Sequence, residues 1–321
     1  SGGWQIVLVY KTDQLTRKNI SLFDGYANVT SSNNNFNIDF NGFQTVPNGP
    51  VNSDLIIGAL EGDRDLSGDR LQMLNSSNNF VDLDAPLRPS DNFFNSRITN
   101  GNSNFVDRNP SSLNTLGFDS AVFSLNNTGN TLLHNNQTST TLRLTSNQEA
   151  YGLYLLGLAV EVYEPKLDPI FYTATPNNIT PNGGPQTVTY TASTTNSGND
   201  DAANISFTTT VPMGSELVEP IAGLPSGVTY SYNNSTRQLT FYAANGLLDV
   251  GDSLSLSFET TVNDQCYYLE NGCSATLSSQ LTATYSGVIN GSTYNTLSSN
   301  SIDACNQGNY LYTTVNVNPP A

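Results

Sequence analysis

Apolar residues along this chain recur at every second position in stretch after stretch, and almost nowhere at a spacing of 3.6. Phe36, Ile38 and Phe40 alternate with Asn37 and Asp39, the pattern of a strand with one buried face. Val188, Tyr190 and Ala192 alternate with threonines in the same way. Short unbroken apolar runs predict more deeply buried strands: Trp4–Tyr10, Leu55–Leu60, Ala121–Leu125 and Leu153–Val162. Further strands are expected at Ile20/Leu22, Leu142/Leu144, Ile205/Phe207, Tyr230/Tyr232, Leu239/Phe241, Leu254/Leu256/Phe258, Leu281/Ala283/Tyr285 and Val315/Val317. Between them lie Asn-, Ser- and Gly-rich stretches such as Asn75–Asn79 and Asn95–Asn104, whose residues favour turns. The expected fold class is all-β, with few helices.

The pattern breaks at Glu164-Pro165-Lys166-Leu167-Asp168-Pro169, where two prolines remove ladder donors. Two domains suit a chain of 321 residues. Residues 1–163 predict a jelly-roll-like β-sandwich, 164–169 a linker, and 170–318 an immunoglobulin-like β-sandwich. Ser1-Gly2-Gly3 runs at once into Trp4–Tyr10, so the first domain is expected to be N-terminally incomplete. Asn318-Pro319-Pro320-Ala321 reads as a second linker.

Composition narrows the function classes. At 37% hydrophobic and 10% aromatic, the chain can bury real cores. Only 12% of residues are charged, about half the usual share, so solubility rests on Asn, Ser and Thr. The net charge of −16, from 27 acids against 11 bases, argues against nucleic acid and anionic lipid and favours cations. No apolar run approaches the ~20 residues of a membrane helix, so no direct membrane insertion is expected. No signal peptide is visible.

Charge is concentrated into something like a site only at Glu61–Leu71. Asp63, Asp65 and Ser67 fall at alternate positions, followed by Gly68 and Asp69, and a turning loop of this kind can aim its oxygens at one Ca2+. The twelfth position is Leu74 rather than a glutamate, so this is no EF-hand. The expected ligand set is Glu61, Asp63, Asp65, Ser67 and Asp69, closed by Asp24 or Asp119 from elsewhere in the fold. The competing reading is a solvated acidic turn with Arg64 and Arg70 as counterions.

No catalytic residues are assigned. The one histidine, His134, lacks a nucleophile-elbow pattern nearby and reads as a loop residue. With 27 acids, a carboxylate pair at a glycosidase-like distance has no diagnostic value. The best exposed aromatic candidates for a sugar platform are Tyr267 and Tyr268. Cys266, Cys273 and Cys305 fit no zinc spacing, and any two of them could form a disulfide.

A resemblance adds habitat. Thr187–Ala192, Asn196-Ser197-Gly198, Ala203-Asn204-Ile205 and Val211–Gly214 resemble the conserved-repeat, immunoglobulin-like domain of bacterial cell-surface proteins, a likeness covering about half the chain. The cysteine-bearing tail, with Gly272-Cys273 before the Leu281–Tyr285 strand, is similar to that of large Bacteroidota adhesins exported by type IX secretion, gliding adhesins among them. The first half resembles a domain that often precedes such repeats, through Gly3-Trp4, Phe23-Asp24-Gly25, Glu61-Gly62-Asp63, Gly68-Asp69, Asn95-Ser96 and Gly117-Phe118-Asp119. Asp119-Ser120-Ala121 and Asp252-Ser253-Leu254 resemble the short Bacteroidota O-glycosylation acceptor, which implies glycans on Ser120 and Ser253.

Together these readings predict a non-enzymatic structural and adhesive module, a calcium-stiffened stalk of a cell-surface, outer-membrane-associated or secreted bacterial protein. Its expected partners are other domains of the same large protein or neighbouring subunits. The alternative is a carbohydrate-binding module of a surface protein or secreted hydrolase, with surface polysaccharide as its ligand.

Overall fold

The computed structural model describes residues 5–10, 12, 15–182, 184, 186–271, 275–304 and 308–318. The chain forms two compact units, Ser1–Val162 and Tyr163–Ala321. Both are built almost wholly from strands.

Unit 1 runs β1 (Lys18–Val29), β2 (Asn35–Asn41), β3 (Ser53–Leu60), β4 (Asp69–Leu74), β5 (Phe80–Asp82), β6 (Ile98–Asn100), β7 (Ser103–Asn104), β8 (Phe118–Ser124), β9 (Ser139–Ser146) and β10 (Tyr151–Glu161). The pairing nests from the outside in: β1 with β10, β2 with β9, β3 with β8, β4 with β5, all antiparallel. Rolling that nested ribbon gives two sheets, β1-β10-β3-β8-β6-β7 and β2-β9-β4-β5, the arrangement of a jelly roll. The period-2 pattern supplies the core. Leu55, Ile57 and Ala59 of one sheet are buried, as are Leu71, Met73, Leu142 and Leu144 of the other. Tyr151 ties the sheets together, its hydroxyl donating to the Thr145 and Arg70 carbonyls.

One expected strand is corrected. Trp4 lies outside the described residues, and Ile6–Tyr10 form no strand; Leu8 is 80% exposed. Apolar, β-prone residues need a ladder partner to become a strand, and no described strand pairs with Ile6–Tyr10. Gln5 nevertheless anchors the segment, donating to Ser120 Oγ and accepting from Tyr154 Oη.

Unit 2 runs β11 (Ile170–Thr175), β12 (Asn178–Ile179), β13 (Gln186–Thr195), β14 (Ala202–Thr210), β15 (Ser215–Leu217), β16 (Val228–Asn233), β17 (Gln238–Ala243), β18 (Ser253–Val262), α1 (Gln265–Asn271), β19 (Ala275–Ser279), β20 (Leu281–Gly287), β21 (Thr293–Ser299), β22 (Ser301–Ile302), β23 (Gly308–Asn309) and β24 (Thr313–Val317). Strands β15-β18-β13-β11 form one side and β21-β20-β14-β17-β16 the other; they join where β11 runs parallel to β21. This sets β11, β13 and β18 against β14, β20 and β21 as an immunoglobulin-like sandwich does, but β15 joins the first side before β16 and β17 extend the second, so the connections there differ from those of a variable-type domain. Strands β12, β24 and β19 add a small third sheet. Buried rings cross the core: Tyr172 stacks on Tyr190 at 5.8 Å, Tyr190 on Phe258 at 5.1 Å, and Phe258 meets Phe241 of the opposite side at 6.0 Å.

The proline-rich segment is also corrected. Residues 164–168 belong to unit 2 rather than to a free linker. Ser197 and Asn199 N–H groups donate to the Lys166 and Glu164 carbonyls, Asn196 Oδ1 accepts from Lys166 N–H, and Leu167 is fully buried. The prolines keep the segment out of a ladder, and the turn 196–199 supplies the missing partners. Gly198 makes this possible, because a Cβ there would collide with Glu164 O and Lys166 N. Gly198→Ala is therefore expected to push the segment off its turn and cost unit 2 about 1–3 kcal/mol, measured by denaturant unfolding.

Candidate functional site

In a jelly roll, alternate connections gather at the same end. Here the β3–β4 loop (61–68), the β5–β6 stretch (83–97) and the β9–β10 turn (147–150) meet there. The acidic loop is held by backbone bonds on both flanks. Glu61 N–H donates to Gly117 O, Gly68 N–H to Asp91 O, and Asn147 N–H to Gly68 O. Asn92 Nδ2 donates to Arg64 O at 2.9 Å, and Arg64 Nη2 donates to the Ser96 and Leu113 carbonyls. Arg64 thus serves as a strut for neighbouring loops and not as a counterion for the acids beside it. Gly62 is required by packing: a Cβ there would collide with Phe94 O and Asp119 Oδ2.

The expected ligands divide into four environments. Glu61, Asp63, Asp65 and Ser67 have exposed side chains. Asp69 is fully buried, with Oδ2 accepting from Phe94 N–H at 2.7 Å. Asp119 does reach the acidic loop, at Gly62, yet it is committed elsewhere. Its carboxylate accepts from Arg88 Nη1 at 2.7 Å and from the Ser96 and Arg97 N–H groups. Asp24 stays exposed on β1, separated from β3 by β10. The expected closure by Asp24 or Asp119 is therefore corrected: one is distant by topology and the other is neutralised by an arginine.

Arg88 organises this end of unit 1. It is fully buried and spends all five N–H donors. Nε donates to Thr99 Oγ1, Nη1 to Phe93 O and Asp119 Oδ1, and Nη2 to the Arg97 and Ser120 carbonyls. A buried charge is tolerable only when paired and saturated in this way.

Glu149 is the second residue absent from the sequence expectation. It is 2% exposed, in the β9–β10 turn, and accepts from Asp63 N–H through Oε1. Its carboxyl lies against that of Asp69. Burial first, then the Asp69 charge, pushes the Glu149 carboxyl up to about 9; burial also raises Asp69. Asp69 Oδ1, Glu149 Oε2 and Asn92 Oδ1 are buried oxygens with no protein donor. Among the described residues, no three His, Cys, Asp or Glu side chains converge as a metal cage.

Other candidates resolve plainly. His134 is exposed in a loop, its Nδ1 beside Asn135 O at 2.8 Å. Tyr268 is corrected from exposed platform to core anchor: it is buried and donates to Gly214 O at 2.6 Å. Cys266 carries a free, exposed thiol in α1, which removes both pairings that use it. Cys273 and Cys305, the remaining pair, lie outside the described residues. Ser253 opens β18 on the surface, hydrogen-bonded to Thr195 Oγ1. Ser120 sits inside β8 next to the buried Asp119. No helix among the described residues is long and apolar enough to cross a membrane.

No protein-family model matches the chain, and no curated protein does. Solved structures with partial likeness include the C-terminal domain of the AgI/II polypeptide BspA of Streptococcus agalactiae, at 9% identity over 88% of this chain and 95% of that one, TM-score 0.30. The collagen adhesin CNA of S. aureus is similar at 8% identity over 94% of this chain and 95% of that one, TM-score 0.27. A segment of Escherichia coli alpha-2-macroglobulin, from domain MG7 to the C-terminus, is similar at 8% identity over 80% of this chain and 34% of that one, TM-score 0.28. At these TM-scores the likeness carries no argument, and the fold assignment rests on the strand order of each unit.

Proposed function

We propose that this chain is a non-enzymatic structural and adhesive module of a bacterial cell-surface or secreted protein, in which two β-units act as a stalk. The observation that supports the reading most directly is where the polar side chains go. Asn127 donates to the Val51 and Leu133 carbonyls and accepts from the Leu132 and Leu133 N–H groups. Buried Asn196 does the equivalent for Asp200 O, Leu248 O and Lys166 N–H. Thr45, Thr194 and Thr209 likewise pin backbone carbonyls. In a chain so poor in charge, the amides and hydroxyls are consumed in holding loops to sheets, as a load-carrying spacer requires.

The finer habitat, a type IX-exported Bacteroidota adhesin with gliding relatives, rests on the sequence resemblance of residues 187–214 and the cysteine-bearing tail. Calcium at the acidic end of unit 1 would pin mobile loops by neutralising repelling carboxylates. A Cys273–Cys305 disulfide would staple the tail.

The test is a glycan array probed with the full chain. The stalk reading expects no specific, saturable sugar signal. A saturable hit would overturn it in favour of the carbohydrate-binding module.

A further inference from the structure

We propose that Asp69 and Glu149 are the carboxylate pair of a Ca2+ site at the acidic end of unit 1, with Asn92 Oδ1 as a neutral ligand and Asp63 on the solvent side. The proposal deepens the stalk reading by locating its calcium, and it moves the site inward from the alternating acids of the loop.

Three observations carry it. First, the start of β4 and the β9–β10 turn bring two buried carboxyls within hydrogen-bond reach of each other, Asp69 and Glu149, and neither Asp69 Oδ1 nor Glu149 Oε2 has a protein donor; Asn92 Oδ1, on a third segment, is a further buried oxygen without one. Asn92 is fixed beside Asp69 by an isolated parallel bridge and by its own amide bond to Arg64 O. A buried oxygen without a donor is costly, so two carboxyls facing each other, with a third such oxygen on the adjoining segment, point to an occupant shared between them.

Second, the two carboxyls are oriented. Phe94 N–H holds Asp69 Oδ2 and Asp63 N–H holds Glu149 Oε1, which leaves the other oxygen of each for a shared occupant. Two carboxylates pressed together and buried repel unless a positive charge stands between them. The nearby arginines are directed elsewhere: Arg64 to Ser96 O and Leu113 O, Arg70 to Asp82, and Arg88 to Asp119.

Third, the donors are all oxygen, two fixed carboxylates and an amide carbonyl, with the exposed Asp63 carboxylate near the entrance but outside the ligand set. Hard oxygen donors without nitrogen or sulfur select Ca2+ over Zn2+. Two charged ligands complemented by an amide and water predict a weak site of extracellular type, with Kd on the order of 0.1–1 mM. The exposed Asp63 side of the loop is the route in.

A proton shared by Asp69 and Glu149 is the competing occupant, and one variant separates the two. Glu149→Gln keeps the shape, removes a charge and offers an N–H to Asp69, so the chain should fold without metal. The experiment adds Ca2+ to the chelator-treated full chain, with calorimetric titration and thermal melting as readouts. The wild type is expected to bind one Ca2+ and gain roughly 3–8 °C at 10 mM. Glu149→Gln is expected to match or exceed the metal-free wild type in Tm and to lose at least tenfold in Ca2+ affinity. Asp24→Asn, remote from the site, should respond as the wild type does. A wild type with no heat and no shift overturns the site, and so does Glu149→Gln responding like the wild type. If Glu149→Gln is more stable while the wild type ignores Ca2+, the shared proton replaces the metal. None of these outcomes bears on sugar binding, so failure of the site and failure of the stalk reading are read separately.

Discussion

Arg88→Met is expected to destabilise unit 1 by about 3–5 kcal/mol, the largest effect of any single change at the acidic end. Methionine fills much of the arginine's volume, so the loss comes from electrostatics and unmade hydrogen bonds and not from a cavity. Asp119 would keep its bonds from the Ser96 and Arg97 N–H groups but lose its buried ion pair with Arg88. Three carbonyls, those of Phe93, Arg97 and Ser120, would lose their Arg88 donors as well. Breaking one side of a buried pair costs more than the pair itself contributes, because it strands the other charge. The double variant Arg88→Met/Asp119→Leu should therefore recover part of the loss. Denaturant midpoints of the four proteins give the coupling energy directly. A loss below about 1 kcal/mol in Arg88→Met would show that Asp119 is satisfied without its arginine.

In unit 2 the largest expected effect is at Tyr190. Tyr190→Ala removes a fully buried ring that stacks on both Tyr172 and Phe258, and should cost about 3–5 kcal/mol. Tyr190→Phe should act in the opposite direction. The Tyr190 hydroxyl is buried with no hydrogen-bond partner, so deleting the oxygen relieves an unmet desolvation cost while the stacked ring stays. A gain of up to about 1 kcal/mol is expected, seen as a higher unfolding midpoint. By contrast Tyr172, whose hydroxyl meets Ser279 Oγ at 3.0 Å, should lose stability in the same Tyr→Phe exchange. Equal responses at the two tyrosines would show that hydrogen bonding of the hydroxyl does not distinguish them.

Much of the architecture was legible from alternation alone. Phe36–Phe40, Leu55–Leu60, Val188–Ala192 and Leu281–Tyr285 all lie in strands, and burial follows the alternation except at exposed Phe36 and buried Gly58. The one α-helix among the described residues, Gln265–Asn271, is a short segment whose first N–H groups are capped by Asp264 Oδ1. The segments that depart from their local pattern do so through their partners. Ile6–Tyr10 is as apolar as any core strand, yet it pairs with no described strand and stays exposed. The two prolines of 165–169 signalled an interruption correctly, but not the turn at Asn196–Asn199 that binds it.

The acidic end shows the same division more sharply. The carboxylates of Glu61–Asp69 stand out because charge is scarce in this chain. Glu149 sits in a four-residue turn where a solvated glutamate would look identical, and Arg88 lies between two prolines with no periodic neighbour. The only available signal was the same scarcity: in a chain with 11 basic residues, each one is worth asking about.

By itself the sequence determined the fold class, the strand positions, the buried face of most strands and the concentration of acid between β3 and β4. These follow from a period of two and from turn chemistry, which are properties of neighbours along the chain. Only the tertiary structure decided that Asp119 belongs to Arg88, that Asp24 stands apart, and that Glu149 meets Asp69. Those pairings are set by nested strand register and by which loops share an end of the jelly roll. Residues 31 and more positions apart meet or miss through that register, and no local pattern records it.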